Sequence, residues 1–216
     1  MSTRCISRLE TVHDRPATIE EIMMKKLLRI YFAAIILALG VSVSGVSAQT
    51  SPGSFPNINI RNFGQMDTNY YRGAQPKKDE YQALKALGIT TIIDLQEKPT
   101  KYEKATAESL GMKYINIPMD DATYPPQAAI DQFLKEINDP ANGVMYVHCK
   151  GGRHRTGVTG AIYRFTKYGW DYNKTMKEME NYNFDTSYGR EAMKEFVVDY
   201  AAKMKNQTTT AAVGGK

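Results

Sequence analysis

Residues 144–157 read Val-Met-Tyr-Val-His-Cys-Lys-Gly-Gly-Arg-His-Arg-Thr-Gly. The apolar opening predicts a strand over 144–148, and the spacing after the loop predicts a helix from Thr156 to about Tyr168. Between them the five residues separating Cys149 from Arg155 let the backbone curl, so that successive amide N–H groups point inward as a nest for an oxyanion. Gly151 and Gly152 permit the backbone angles and close approach that such a curl requires. Arg155 offers a planar fork for two phosphate oxygens, and Cys149 sits where a thiolate nucleophile would lie beneath the phosphorus. Inward amides, Arg155 and the positive end of the following helix are expected to bring the thiol to a pKa of about 4–6. Thr156 has two compatible readings: a hydroxyl that donates to the departing sulfur, or the N-terminal cap of the helix.

Outward from this stretch, helical and extended patterns alternate. Residues 57–72 carry short extended pieces. A helix is predicted over 78–87 and stopped at Gly88. The β-branched run 89–95 reads as a strand buried on both faces. A second helix follows over 102–110, then a strand over 113–117, then a helix opened by Pro125 and Pro126 and running to about 138. Two more helices are predicted over 173–182 and 187–203. Trp170 reads as a core residue, and Asp171 or Asn173 as a helix cap. Strands alternating with helices describe a single α/β domain over 57–204, a mostly parallel central sheet flanked by helices, with the phosphate-binding loop between a strand and a helix. The Thr/Ala/Gly-rich stretch 205–216 reads as a disordered tail.

The amino-terminal quarter has another character. Lys25-Lys26 and Arg29 precede an apolar run over 30–41, and small residues end at Val46-Ser47-Ala48. That is the pattern of a secretory signal cleaved after Ala48, with 49–56 as a Ser/Pro/Gly linker. The apolar run is too short for a membrane anchor. Residues 1–23 precede what already looks like a complete signal, as a start codon assigned too far upstream would produce. Removing 1–48 takes six of the 28 Lys/Arg and four of the 23 Asp/Glu, leaving 22 against 19 and a net charge of +3. That is too mild for nucleic-acid binding, and no basic stripe with interleaved aromatics appears. Of the two cysteines only Cys149 remains after cleavage. An exported chain that keeps one thiol has no internal disulfide and usually a chemical use for it. The expected location is periplasmic or extracellular, without stable membrane association.

His148 to Gly157 resembles the signature loop of the cysteine-based protein tyrosine and dual-specificity phosphatases. It is most similar to the atypical dual-specificity group of plants, fungi and bacteria, whose loops read His-Cys-Lys-x-Gly-x-His-Arg-Thr-Gly. Tyr71-Arg72-Gly73-Ala74-Gln75-Pro76 resembles the Tyr/Phe-Arg-x-x-Gln-Pro motif of that group. The likeness spans roughly 57–200, about one domain. It implies phosphate monoester hydrolysis through a phosphocysteine, with Cys149, Arg155 and Thr156 catalytic. Lys150, Gly151, Gly152, Arg153 and His154 would bind substrate, Lys150 and His154 facing outward at the rim. His148 and Arg72 would support the loop.

A leaving alcohol also needs a proton from a separate loop. The resemblance points to an Asp after a strand and shortly before a Pro, and Asp121 has the better spacing to Pro125, with Asp120 as its rival. Both could instead cap the helix at Pro125. Asp94 ends a buried strand, where a hydrogen-bonded structural carboxylate is expected rather than a catalytic one. No cofactor is implied, and no His/Cys/Asp cluster shows metal-ligand spacing. Substrates left open are phosphotyrosine proteins, inositol polyphosphates or pyrophosphates, and small phosphoesters; oligomeric state is not legible. The plant and fungal relatives linked to inositol pyrophosphates carry Arg where Gly151 stands. A non-catalytic phosphate-binding module is the alternative of another class, and an oxidoreductase sharing the loop would need a partner cysteine.

Overall fold

The structure, a computed structural model, describes residues 55–187 and 189–213 together with Glu20, Met23 and Met24. The chain divides into two compact units, Met1–Ala48 and Gln49–Lys216, and the sheet, its helices and the site all belong to the second. The expected signal segment over 1–48 and nearly all of the linker lie outside the described residues. Among the described residues no helix is long and apolar enough to cross a membrane.

Five strands form one sheet: β1 (Gly64–Asp67), β2 (Tyr70–Ala74), β3 (Thr91–Gln96), β4 (Lys113–Met119) and β5 (Met145–Cys149), in the order β1-β2-β5-β3-β4. Only the β1–β2 hairpin is antiparallel; β2, β5, β3 and β4 run parallel. The predicted mostly parallel sheet is therefore present. Helices α1 (Tyr81–Ala86), α2 (Glu103–Ser109), α3 (Gln127–Asn138), α4 (His154–Tyr168), α5 (Tyr172–Asn181) and α6 (Glu191–Val213) accompany it. The predicted stop at Gly88 works as a glycine stop should, with positive φ after α1, and Gly111 does the same after α2.

Every residue of β3 and β5 is buried, as expected of strands covered on both faces. Because successive side chains alternate, Ile92 and Tyr146 join Tyr81, Leu84 and Ala107 in one core, beside α1 and α2. Ile93, Val147 and Cys149 join Phe133, Val158 and Ile162 in the other, beside α3 and α4. Burying a side chain such as Phe133 or Ile162 contributes about 1.5–3 kcal/mol, so each layer is held independently. The same alternation turns His148 to the Tyr146 side, where its ring stacks on Tyr146 at 5.6 Å, while Cys149 faces α4.

Three expectations are corrected. The last helix begins at Glu191 rather than 187, after Gly189 at φ +82°, and continues to Val213. Residues 205–213 are thus helix and not a loose tail; Ala211 and Ala212 favour helix, and Thr210 bonds its hydroxyl back to the Asn206 carbonyl at 3.0 Å. Trp170 is half-buried rather than core, its ring between the Arg164 guanidinium at 4.3 Å and the Lys174 ammonium at 4.0 Å. Asp171 caps α5 as expected, accepting from the Lys174 amide at 2.8 Å.

Candidate active site

The site lies at the carboxyl ends of β2, β5 and β3, where open α/β sheets place their ligands. Cys149 is the last residue of β5, and α4 begins at His154, so Arg155 and Thr156 already lie in its first turn. The helix starts two residues earlier than predicted, with Arg153 at its N-cap, which rules out Thr156 as the cap. Thr156 is fully buried, and its hydroxyl makes no bond to nitrogen or oxygen. Burial pushes the Cys149 thiol up. The Thr156 hydroxyl, the Arg155 guanidinium and the amides of Thr156 and Gly152 outweigh this and leave it below its ordinary value. The cradle thus shifts the equilibrium toward the thiolate, and Arg155 and the loop amides are among the causes expected from sequence.

The two glycines differ. Gly152 adopts φ +68°, and a Cβ there would lie 2.5 Å from the Ala74 amide nitrogen and 2.6 Å from the Gly73 carbonyl oxygen. Only glycine fits. At Gly151 φ is not positive and a Cβ would meet nothing nearer than Arg153 Cγ at 3.9 Å, so the conformational need inferred for that glycine is absent.

Two of the loop's carbonyls are held by side chains from outside it. Arg72, 1% exposed, donates from Nη2 to the Gly152 carbonyl at 2.8 Å and lies 4.1 Å over the Tyr182 ring. Asn62 donates from Nδ2 to the Gly151 carbonyl at 2.7 Å and accepts from Asn183 Nδ2 at 2.7 Å. Both Asn62 and Asn183 have positive φ, a region asparagine tolerates better than most residues. Arg72, expected to support the loop, contacts it at Gly152; Asn62, Asn183 and Tyr182 were not singled out from sequence.

Arg155 is 8% exposed and donates from Nη1 to the Met119 carbonyl at 3.1 Å, tying the end of β4 to the cradle. The next residues are the two candidate acids. Asp120 closes a turn on itself, accepting from the amides of Ala122 at 2.8 Å and Thr123 at 2.9 Å. Those amides, with Arg155 nearby, hold its carboxyl below the usual range. Asp121 is exposed and pairs with Arg190 Nη2 at 3.4 Å. The structure therefore associates Asp120, not Asp121, with Arg155.

At the rim Lys150 and Arg153 are exposed. His154 does not stand free in solvent. It is half-buried with its ring 5.7 Å from Phe184, and burial, with Arg190 and Arg153 nearby, lowers its pKa. Those neighbours weaken the positive charge expected of it at the rim, while Asp185 opposes them. His148 is fully buried, Nε2 lying 2.6 Å from Glu103 Oε1 and Nδ1 3.9 Å from Asp94 Oδ1. Asp94 accepts from the Tyr114 hydroxyl at 2.8 Å and the Gln96 amide at 2.9 Å, the hydrogen-bonded structural carboxylate expected.

A family model described as a DSP-PTPase phosphatase fused to NAD+ kinase matches residues 57–198. The chain belongs to this phosphatase family. It is 25% identical over 130 residues to the dual specificity protein phosphatase TpbA of Pseudomonas aeruginosa, covering 60% of this chain and 56% of the relative. It is 27% identical over 124 residues to the inositol diphosphatase DSP3 of Arabidopsis thaliana, covering 55% and 61%. The chain thus spans less than two thirds of the length of these relatives. In fold it is similar to the core catalytic domain of the PP-IP phosphatase Siw14 of S. cerevisiae, solved with citrate, at TM-score 0.59 and 21% identity over 72% of this chain and 94% of that one. The family is that of the cysteine-based tyrosine and dual-specificity phosphatases.

Proposed function

We propose that the protein hydrolyses phosphate monoesters through a phosphocysteine, acting on phosphorylated tyrosine or other phosphoprotein side chains. One observation carries this reading. Cys149 is buried, yet its thiolate is favoured by an aimed ring of donors, with Arg155 in the same pocket. In the first step Sγ forms a bond to phosphorus as the ester P–O bond breaks, and the leaving oxygen takes a proton from an acid. Water then attacks the phosphocysteine, the S–P bond breaks, inorganic phosphate departs, and the Thr156 hydroxyl donates to the returning thiolate. Arg155 follows the equatorial oxygens through both steps.

The acid we favour is Asp120, because Asp121 is engaged by Arg190. Its depressed pKa in the free enzyme does not disqualify it, since a bound phosphate dianion raises the pKa of a nearby carboxylate. The same depression favours a second reading, a phosphoanhydride substrate whose departing phosphate needs little protonation. The names of DSP3 and Siw14 agree with that reading. The exposed rim cations agree as well, although Gly151 supplies no charge where those relatives carry Arg. Release of the domain outside the cytoplasm, with Gln49 as the new amino terminus, belongs to the proposal and rests on the 24–48 pattern. Sequencing the released chain tests it.

The mechanism is tested with an aryl phosphate in the presence of a chelator. Wild type is expected to turn over and Cys149→Ser to be inactive while still binding phosphate. Full activity in Cys149→Ser refutes the phosphocysteine, and a wild-type protein that binds phosphate without turnover favours the binding-module alternative.

A further inference from the structure

The Cys149 site is backed by a buried polar layer on the opposite side of the sheet, which the proposed catalytic steps leave unused. His148 precedes the nucleophile and points the other way, toward α1 and α2. There Glu103, the first residue of α2 and 0% exposed, receives it at 2.6 Å. The Glu103 carboxylate is fixed in turn. Tyr81 donates its hydroxyl to the same oxygen at 2.6 Å, and Thr100 and Gln75 approach the other at 3.4 and 3.5 Å. Gln75 also donates to Thr100 at 2.6 Å and accepts from Gln96 at 3.2 Å, which gives the Gln of the upstream motif its place. A carboxylate with no exposed surface, braced from the residue after β2, from α1 and from the turn before α2, is expensive unless it is paired with a charge.

We propose that Glu103 is a positioning residue for the phosphatase reaction, anchoring His148 as an imidazolium directly behind Cys149 so that a fixed positive charge favours the attacking thiolate. The inference rests on the reading of Cys149 as nucleophile. His148 faces ionisable groups from every packed element: Glu103 of α2 at 2.6 Å, Asp94 of β3 at 3.9 Å, and its neighbour Cys149. Tyr81 and Tyr114 hold the two carboxylates, and the Tyr146 ring is stacked on the imidazole. Burial pushes His148 toward the neutral form, but Glu103 first and Asp94 second outweigh it. Asp94 is the weaker partner, being farther away and itself pushed up by burial.

The donor atoms of Asp94, Glu103 and His148 lie within 4.8 Å of one another, yet the spacing suits a proton and not a cation. Two tetrahedral ligands about 2.1 Å from a metal stand roughly 3.4 Å apart. The 2.6 Å between Nε2 and Oε1 is the direct contact of a buried ion pair and leaves no room for a metal between them.

The test follows alkylation of Cys149 by iodoacetamide against pH, read on the Cys149 peptide so that Cys5 does not interfere, in full-length wild type, Glu103→Gln and Glu103→Asp. Removing the charge is expected to move the alkylation midpoint up by about one pH unit or more, the scale of losing one opposite charge nearby. The acidic limb of kcat/KM should move with it, while inhibition by inorganic phosphate changes far less. Glu103→Asp, which keeps the charge at a longer reach, should fall between. A folded Glu103→Gln protein with the wild-type midpoint overturns the proposal, since a merely structural residue would lower activity without moving the thiol titration. If Glu103→Gln does not fold, the wild-type imidazole nitrogen shifts decide. His148 should be doubly protonated at neutral pH, and a neutral ring there refutes the pair. Wild-type Cys149 that alkylates like an ordinary thiol sinks the nucleophile reading instead, leaving the ring measurement to judge Glu103.

Discussion

Gly152→Ala and Gly151→Ala are the same chemical change at adjacent positions with opposite expected outcomes. At 152 the new methyl must be accommodated at φ +68°, a conformation that costs an L-residue about 1–2 kcal/mol. It also meets backbone rather than a side-chain tip, with the Ala74 nitrogen at 2.5 Å and the Gly73 oxygen at 2.6 Å. Gly73 and Ala74 are paired in register with His148 and Cys149, so they cannot retreat without disturbing the strand that carries the nucleophile. Forced overpacking of this kind adds about 1–3 kcal/mol. Together the cost is about 2–5 kcal/mol, or roughly 5–15 °C in Tm for a chain of this size.

If the loop yields instead of the fold, the Gly152 amide loses its aim at Cys149. The loss then appears as a fall in kcat of about 10²–10³, the scale of one misplaced oxyanion donor. Gly151→Ala meets only Arg153 Cγ at 3.9 Å and should stay within about 0.5 kcal/mol of wild type, with kcat nearly unchanged. Thermal unfolding and aryl phosphate turnover, measured on both variants, decide the matter. Equal behaviour of the two would refute the argument that β2 and the loop are in backbone contact.

Asn62→Ala removes two hydrogen bonds of 2.7 Å and should cost about 1–2 kcal/mol, with a several-fold fall in kcat/KM measured on an aryl phosphate. Asp120→Asn should slow phosphotyrosine hydrolysis by about 10²–10⁴ while sparing activated aryl phosphates, and should abolish the basic limb of the pH–rate profile for the poor leaving group. If Asp121→Asn shows that pattern instead, the acid is the residue that Arg190 holds. Gly151→Arg should fold normally, because the space is open, and should raise kcat/KM for pyrophosphate-bearing substrates relative to monoesters. An unchanged ratio would remove the rim from the account of specificity.

The pattern that could be read along the chain was local. Cys149 to Thr156 announces its geometry within eight residues, and the β-branched run of β3 announces burial on both faces. What sequence did not disclose are contacts made between distant residues. Asn62 reaches Gly151 across 89 positions, and Asn183 reaches Asn62 across 121. A lone Asn in a polar turn carries no visible sign of its target. Glu103 is a sharper case, because in the predicted helix over 102–110 it stands as one charged residue among several. In the structure the first turn of α2 has no side-chain cap, and Glu103 turns inward to His148. The acid assignment failed to resolve for another reason. Asp120 and Asp121 differ only in which neighbour captures them, and one of those neighbours, Arg190, lies 69 residues away.

The two motifs recognised separately in the sequence are one physical unit. β2 and β5 run parallel with Gly73 beside His148 and Ala74 beside Cys149, so the upstream motif is aligned residue by residue with the nucleophile. Arg72 then holds the Gly152 carbonyl. Gly73 lacks a side chain where the Tyr146 ring and the loop backbone both crowd in, and the Tyr146 hydroxyl bonds the Ala74 carbonyl at 2.5 Å. Gln75 braces Thr100 and, through it, the Glu103 that receives His148. Each motif residue thus acts on a different part of the loop: its carbonyl, its backbone envelope, or the charge behind its cysteine. A change in the upstream motif should therefore be felt in the thiolate chemistry of Cys149, because its residues act on the loop that carries the nucleophile.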